Sequence, residues 1–317
     1  MEACDSPEQS NVTSYGAPVI AIISPQAFAG MWINAFIVSV IFMAWVKKKT
    51  LKSQEKILMS LGCSRFWYLC IAWLYYLLVT IHPYCFYVYS LLELLAASQG
   101  VFQISNIWFS ACLCVFYCIK IANFRNRFFI YLKVRIDRIV PWFLLGSLLL
   151  GLVFGIVVYT TTDKTECENL NSTSEENYLK CNTSMDEHFF TILFIIGFVS
   201  TTAFIAVIFA ALLLLLSLWR HKRNMQTNSM KDLSMDAHIK AMKCILSFLV
   251  MYSINFIIMI LALIYSMKNQ NHVIFPITAL TYSFPGVDSL ILIFSNPKLK
   301  KTLLRILLCV NYKVCMR

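Results

Sequence analysis

The 317-residue chain is 59% hydrophobic, 14% charged and carries a formal net charge of +11 at pH 7, a balance that excludes an ordinary soluble globular protein. Its mean hydropathy of +0.69 points to lipid as the solvent. The cations do not form a nucleic-acid face, because 23 of the 27 Lys and Arg residues fall into four short clusters separated by long apolar runs.

In chain order, residues 1–20 carry Glu2, Asp5 and Glu8 and lack a basic n-region, so they read as an exterior segment and not as a cleaved signal. A span over about 21–46 follows, closed by the first cluster (Lys47, Lys48, Lys49, Lys52, Lys56). The next spans, about 54–80 and 87–119, lead into a second cluster running from Lys120 to Arg138. The fourth span, about 139–160, opens onto a segment with seven carboxylates between Asp163 and Glu187. The fifth, about 188–219, ends in a third cluster from Arg220 to Lys243. Spans at about 241–267 and 272–296 complete the set, and the tail 297–317 holds the last cluster. Each run meets the roughly 20 apolar residues needed to cross hydrocarbon. The expectation is an all-α, seven-transmembrane helix bundle forming one domain over residues 1–317, with its amino end extracellular and its carboxyl end cytoplasmic, since cytoplasmic loops collect cations.

Three glycosylation sequons, at Asn11, Asn171 and Asn182, fall on the side this topology assigns to the exterior. Cys167 and Cys181 lie on the same oxidising side, where a bridge and two free thiols are both open. After Asn296 the stretch KLKKTLLRILL places Leu299, Leu303, Ile306 and Leu307 at helical spacing, the pattern of a short amphipathic helix on the membrane. Cys309 and Cys315 beyond it are either lipidation sites or free thiols.

Polar residues inside the spans are few. Arg65 lies nine residues past Lys56 and Asp288 ten before Lys298, or about 14 and 15 Å deep at 1.5 Å per residue. Asn34 lies about 20 Å deep by the same count. An unpaired charge at that depth costs at least about 2.5–3.5 kcal/mol. Arg65 and Asp288 are therefore expected to pair, with Asn34 and Ser289 completing the hydrogen bonds, either as a polar hinge that rearranges or as a static clasp. Outward of that level, Gln99, Gln103, Tyr75, Tyr76, Asn255, Met259, Thr278 and Thr281 reach comparable depths on four spans and are candidates to line a cavity for uncharged or weakly basic organic molecules. Ordinary interhelical hydrogen bonding is the competing reading. Glu93, near the outer end of the third span, either meets a cationic ligand or faces water. No phosphate-binding loop, zinc-protease, serine-hydrolase or paired-cysteine pattern occurs, so neither catalysis nor a metal or other cofactor is expected. The lack of an internal repeat argues against a transporter.

Particular segments carry a resemblance. FYCIKIANF (Phe116 to Phe124), SLWRHKRNMQ (Ser217 to Gln226) and the run from Asp288 through Asn296 to Lys300 are similar to the cytoplasmic ends of spans three, five and seven in the bitter taste receptors, the type 2 taste branch of the G-protein-coupled receptors. Gly30, Asn34, Trp45-Val46-Lys47 and the run from Leu61 to Arg65 also fit that pattern. The chain departs from it at Asp288, Ala203 and Gln103, where the family usually has His, Pro and Asn, and so resembles a divergent member. The resemblance implies a receptor that binds bitter agonists and activates a heterotrimeric G protein. Tyr117, Lys120, Arg220, His221, His238 and Lys243 are the candidate coupling residues. The alternatives are a receptor of another chemosensory branch, or a transporter or channel.

Overall fold

A computed structural model describes residues 9–81, 86–122, 127–169, 176–226, 232–267 and 271–315. Within these, the side chains of 9–19, 86–90, 161–169, 176–191, 232–245, 271–275 and 309–315, and of some further positions, lie outside the described set. The sequon residues Asn11, Asn171 and Asn182, the cysteines Cys167, Cys181, Cys309 and Cys315, and the side chains of the coupling candidates His221, His238 and Lys243 are outside it too.

All regular structure among the described residues is helical. The helices are α1 (Gln9–Lys48), α2 (Ser53–Ile81), α3 (Phe86–Ile121), α4 (Arg127–Asn169), α5 (Glu176–Gln226), α6 (Asp232–Met267), α7 (Asn271–Ser295) and α8 (Pro297–Cys315). Six of them hold a stretch long and apolar enough to cross a bilayer, and in α6, 36 residues long, the described apolar stretch is Leu249–Ala262. The helices overrun the apolar runs that announce them. α4 starts at Arg127 and not near 139, and α5 has 51 residues, about 75 Å of helix against roughly 30 Å of hydrocarbon. Hydrophobicity marks only the part of a helix inside the lipid, whereas backbone hydrogen bonding carries the helix on into the polar layer. The outward side chains fit that solvent: Trp142, Val153 and Ile156 on α4 and Phe194 and Phe209 on α5 are all exposed.

Helix ends follow local chemistry. α1 stops where Lys49 takes a positive φ of 55°, the left-handed cap more often given to glycine. Glu55 Oε2 accepts from the Lys52 N–H at 3.2 Å, closing the start of α2. Asn296 Oδ1 accepts from the Lys298 and Leu299 N–H groups at 3.0 and 3.4 Å, with Pro297 in the first turn, so α8 has both a capping side chain and a preset φ.

α3 packs against α2, α4 and α5, while α7 joins α1 to α6. One apolar core gathers Ile37 and Ile41 of α1, Ile57 and Leu61 of α2, Leu113 and Phe116 of α3, Ile136 and Val140 of α4, Ile293 of α7 and Leu299 of α8. A second unites α3, α5 and α6 around Cys114, Val207, Leu214 and Tyr252. The amphipathic stretch after Asn296 thus divides its apolar residues: Leu299 is buried and Leu303 packs on the bundle, while Ile306 and Leu307 stay exposed.

The most extensive pairing, α3 with α4, rests on missing side chains. A Cβ at Gly151 would lie 2.5 Å from Ser105 Oγ and 2.6 Å from the Val101 carbonyl oxygen, and one at Gly155 would lie 2.4 Å from Val101 Cγ2. The two glycines are four residues apart on one face, the spacing that lets membrane helices approach closely.

Candidate functional site

At mid-depth the bundle contains a polar centre built from four helices. Arg65 of α2 is 1% exposed, so each of its donors needs a protein partner. Nε donates to Asn106 Oδ1 of α3 at 3.0 Å, Nη1 to Ser289 Oγ of α7 at 2.9 Å, and Nη2 to Ser110 Oγ of α3 at 3.4 Å and Asp288 Oδ2 of α7 at 3.3 Å. The planar guanidinium suits this task because its donors point to several helices at once. Ser289 Oγ lies 2.8 Å from Asn34 Oδ1 of α1 and 2.7 Å from the Pro285 carbonyl, two acceptors for one hydroxyl proton. Asn34 Nδ2 donates to the Gly30 carbonyl at 2.8 Å.

The structure therefore brings together Asn34, Arg65, Asp288 and Ser289, and adds Asn106 and Ser110, which sequence reasoning missed. Their signal was present: they sit four residues apart on α3, ten or more residues before Lys120, as a short polar stripe on an apolar helix. Among the described residues, Asp288 Oδ1 is buried with no hydrogen-bond partner. The ion pair is thus one-sided, and a buried acceptor remains open.

One layer further from the basic helix ends lies a tyrosine cluster. Gln99 Nε2 donates to the Tyr282 hydroxyl at 3.3 Å. Tyr282 stacks on Tyr68 with centroids 6.1 Å apart and meets Tyr76 edge-on at 5.6 Å, while Tyr76 meets Tyr75 edge-on, also at 5.6 Å. Tyr76 is also hydrogen-bonded to Thr278. Of the expected cavity residues, Gln99, Tyr75, Tyr76 and Thr278 meet here, together with Tyr68 and Tyr282, which were not anticipated. Thr281 donates to its own helix at the Ile277 carbonyl, 2.9 Å away. Gln103, Asn255 and Met259 are partly buried on α3 and α6, and none of the bonds just described involves them. Glu93 is 9% exposed, so it does not face water as a free surface carboxylate would. The Gln99 amide is also hydrogen-bonded to the Tyr68 hydroxyl, so Tyr282→Phe should remove one of its two tyrosine partners and cost about 0.5–1.5 kcal/mol, read as a lowered melting temperature of the purified protein in detergent.

At the opposite, basic end, Gln54 Nε2 donates to the Tyr117 hydroxyl at 2.9 Å, and Lys120 Nζ pairs with Asp137 Oδ2 at 3.1 Å. Arg220 is exposed near the end of α5.

The fold and its buried charges define a multi-pass membrane bundle organised around a polar centre. Comparison with known proteins narrows the class. The family described as Taste receptor protein (TAS2R) matches residues 13–311. The chain is 32% identical over 281 residues to taste receptor type 2 member 7 of Macaca mulatta, covering 86% of this chain and 87% of that protein. It is 31% identical over 299 residues to taste receptor type 2 member 103 of Mus musculus, covering 93% of each. The chain belongs to the type 2 taste receptor family, the bitter taste G-protein-coupled receptors.

Proposed function

We propose that this chain binds bitter small organic molecules at the outer end of the bundle and activates a heterotrimeric G protein at the basic end, with the amino terminus extracellular and the carboxyl terminus cytoplasmic. The carrying observation is the Arg65 centre, which joins α1, α2, α3 and α7 between those two ends. A ligand acts by binding one packing of the helices more tightly than another. The outer layer of Gln99, Tyr75, Tyr76 and Thr278 offers aromatic faces, an amide and hydroxyls, and Gln103, Asn255, Met259, Thr281 and Glu93 extend that surface. This set suits uncharged or weakly basic compounds. The open acceptor on Asp288 gives the centre capacity for a second hydrogen-bond arrangement.

Tyr117, Lys120, Arg220, His221, His238 and Lys243 are the residues that meet the G protein. The remaining cations of the same face hold anionic lipid. Cells expressing this chain with a taste-type G protein should raise calcium on exposure to at least one member of a chemically diverse bitter library. Complete silence despite proven surface delivery would overturn the reading.

A further inference from the structure

Three consecutive side chains at the start of α2 each reach a different helix. Ser53 Oγ donates to the Asp137 carbonyl of α4 at 3.4 Å, Gln54 Nε2 to the Tyr117 hydroxyl of α3 at 2.9 Å, and Glu55 Oε1 accepts from Lys298 Nζ of α8 at 2.6 Å. Successive residues of a helix point about 100° apart, so only a helix end enclosed on several sides engages all three. The Asp137 carbonyl is available because Pro141, four residues further along α4, has no N–H to give it. Glu55 is fixed in turn by the Lys52 N–H on its second oxygen. Asp137 closes the circuit by pairing its carboxylate with Lys120 of α3.

The ties differ in strength. Lys120 and Asp137 are 50% and 56% exposed in their side chains, so that pair contributes little. The Gln54–Tyr117 bond is partly buried, and the Glu55 side chain is only 17% exposed.

We infer that the first turn of α2 is an autoinhibitory clasp, holding the basic ends of α3, α4 and α8 in the packing that excludes the G protein. The inference rests on the receptor reading above. Because the ties stabilise the closed packing, removing one shifts the population toward the open one without agonist.

The test is nucleotide exchange on a purified heterotrimeric G protein, driven by membranes carrying wild type, Gln54→Leu or Glu55→Gln at matched surface density, first without and then with the bitter library. Each variant should raise agonist-free exchange about two- to tenfold, the range a single net hydrogen bond allows. A wild type that answers agonist while both variants keep its baseline overturns the clasp alone. Silence of every chain, wild type included, overturns the receptor reading and the clasp with it. If Gln54→Leu fails to reach the surface, Glu55→Gln decides, since it keeps the shape of the side chain while removing its charge and one of its two acceptor oxygens.

Discussion

Arg65→Ala should cost about 3–5 kcal/mol of stability and remove most of the chain from the cell surface, because it strands a carboxylate inside the bundle. Asp288 is 5% exposed and, among the described residues, already has one oxygen without a partner. Losing Arg65 takes the other partner too, and Asn106, Ser110 and Ser289 each lose a donor. Arg65→Lys should rescue little, since an ammonium cannot reproduce a fork directed at two side chains on α3 and two on α7. The double replacement Arg65→Met with Asp288→Leu should be milder than either single change to Ala. It removes both charges and leaves the Asn106 amide oxygen and the buried Ser110 hydroxyl without their donor, at about 1–3 kcal/mol each. Surface immunolabelling with melting of the purified protein measures both.

The second large effect is expected at the α3–α4 contact. Gly151→Leu places side-chain carbon where Ser105 Oγ and the Val101 carbonyl already stand. A backbone carbonyl cannot move aside as a flexible side chain does, so the helices must separate, at a cost of about 1–3 kcal/mol or more. Gly146 on the same helix has nothing within 4 Å of its Cβ position among the described residues. Gly146→Ala should therefore be neutral or slightly stabilising, up to about 1 kcal/mol from helix propensity. The contrast between these variants, read by thermal melting, separates packing from any general effect of filling a glycine on α4.

Much of the architecture was legible because lipid imposes simple rules on sequence. Apolar runs bounded by basic clusters located the helices, and depth counted from Lys56 and Lys298 put Arg65 and Asp288 at one level, where the structure has them in contact. Helix ends were less legible. A mixed segment such as Arg127 to Arg138, where charged residues interrupt an apolar run, forms helix as readily as loop, and its charges read as the edge of a span. The α3 side of the polar centre was missed because Asn106 and Ser110 are small polar residues of a kind common in membrane helices, and only the guanidinium's position gives them a shared role. Tyr68 and Tyr282 were passed over for a related reason: their burial depends on which face of α2 and α7 turns inward, a rotation that depth along the helix does not determine.

Whether the Arg65 centre moves or merely holds the helices together is decided by agonist-driven nucleotide exchange in the Arg65→Met/Asp288→Leu double variant at surface density matched to wild type. A hinge predicts a variant that is delivered to the surface and no longer answers agonist. Delivery with a wild-type response would show that the centre only fixes packing, and would contradict the account.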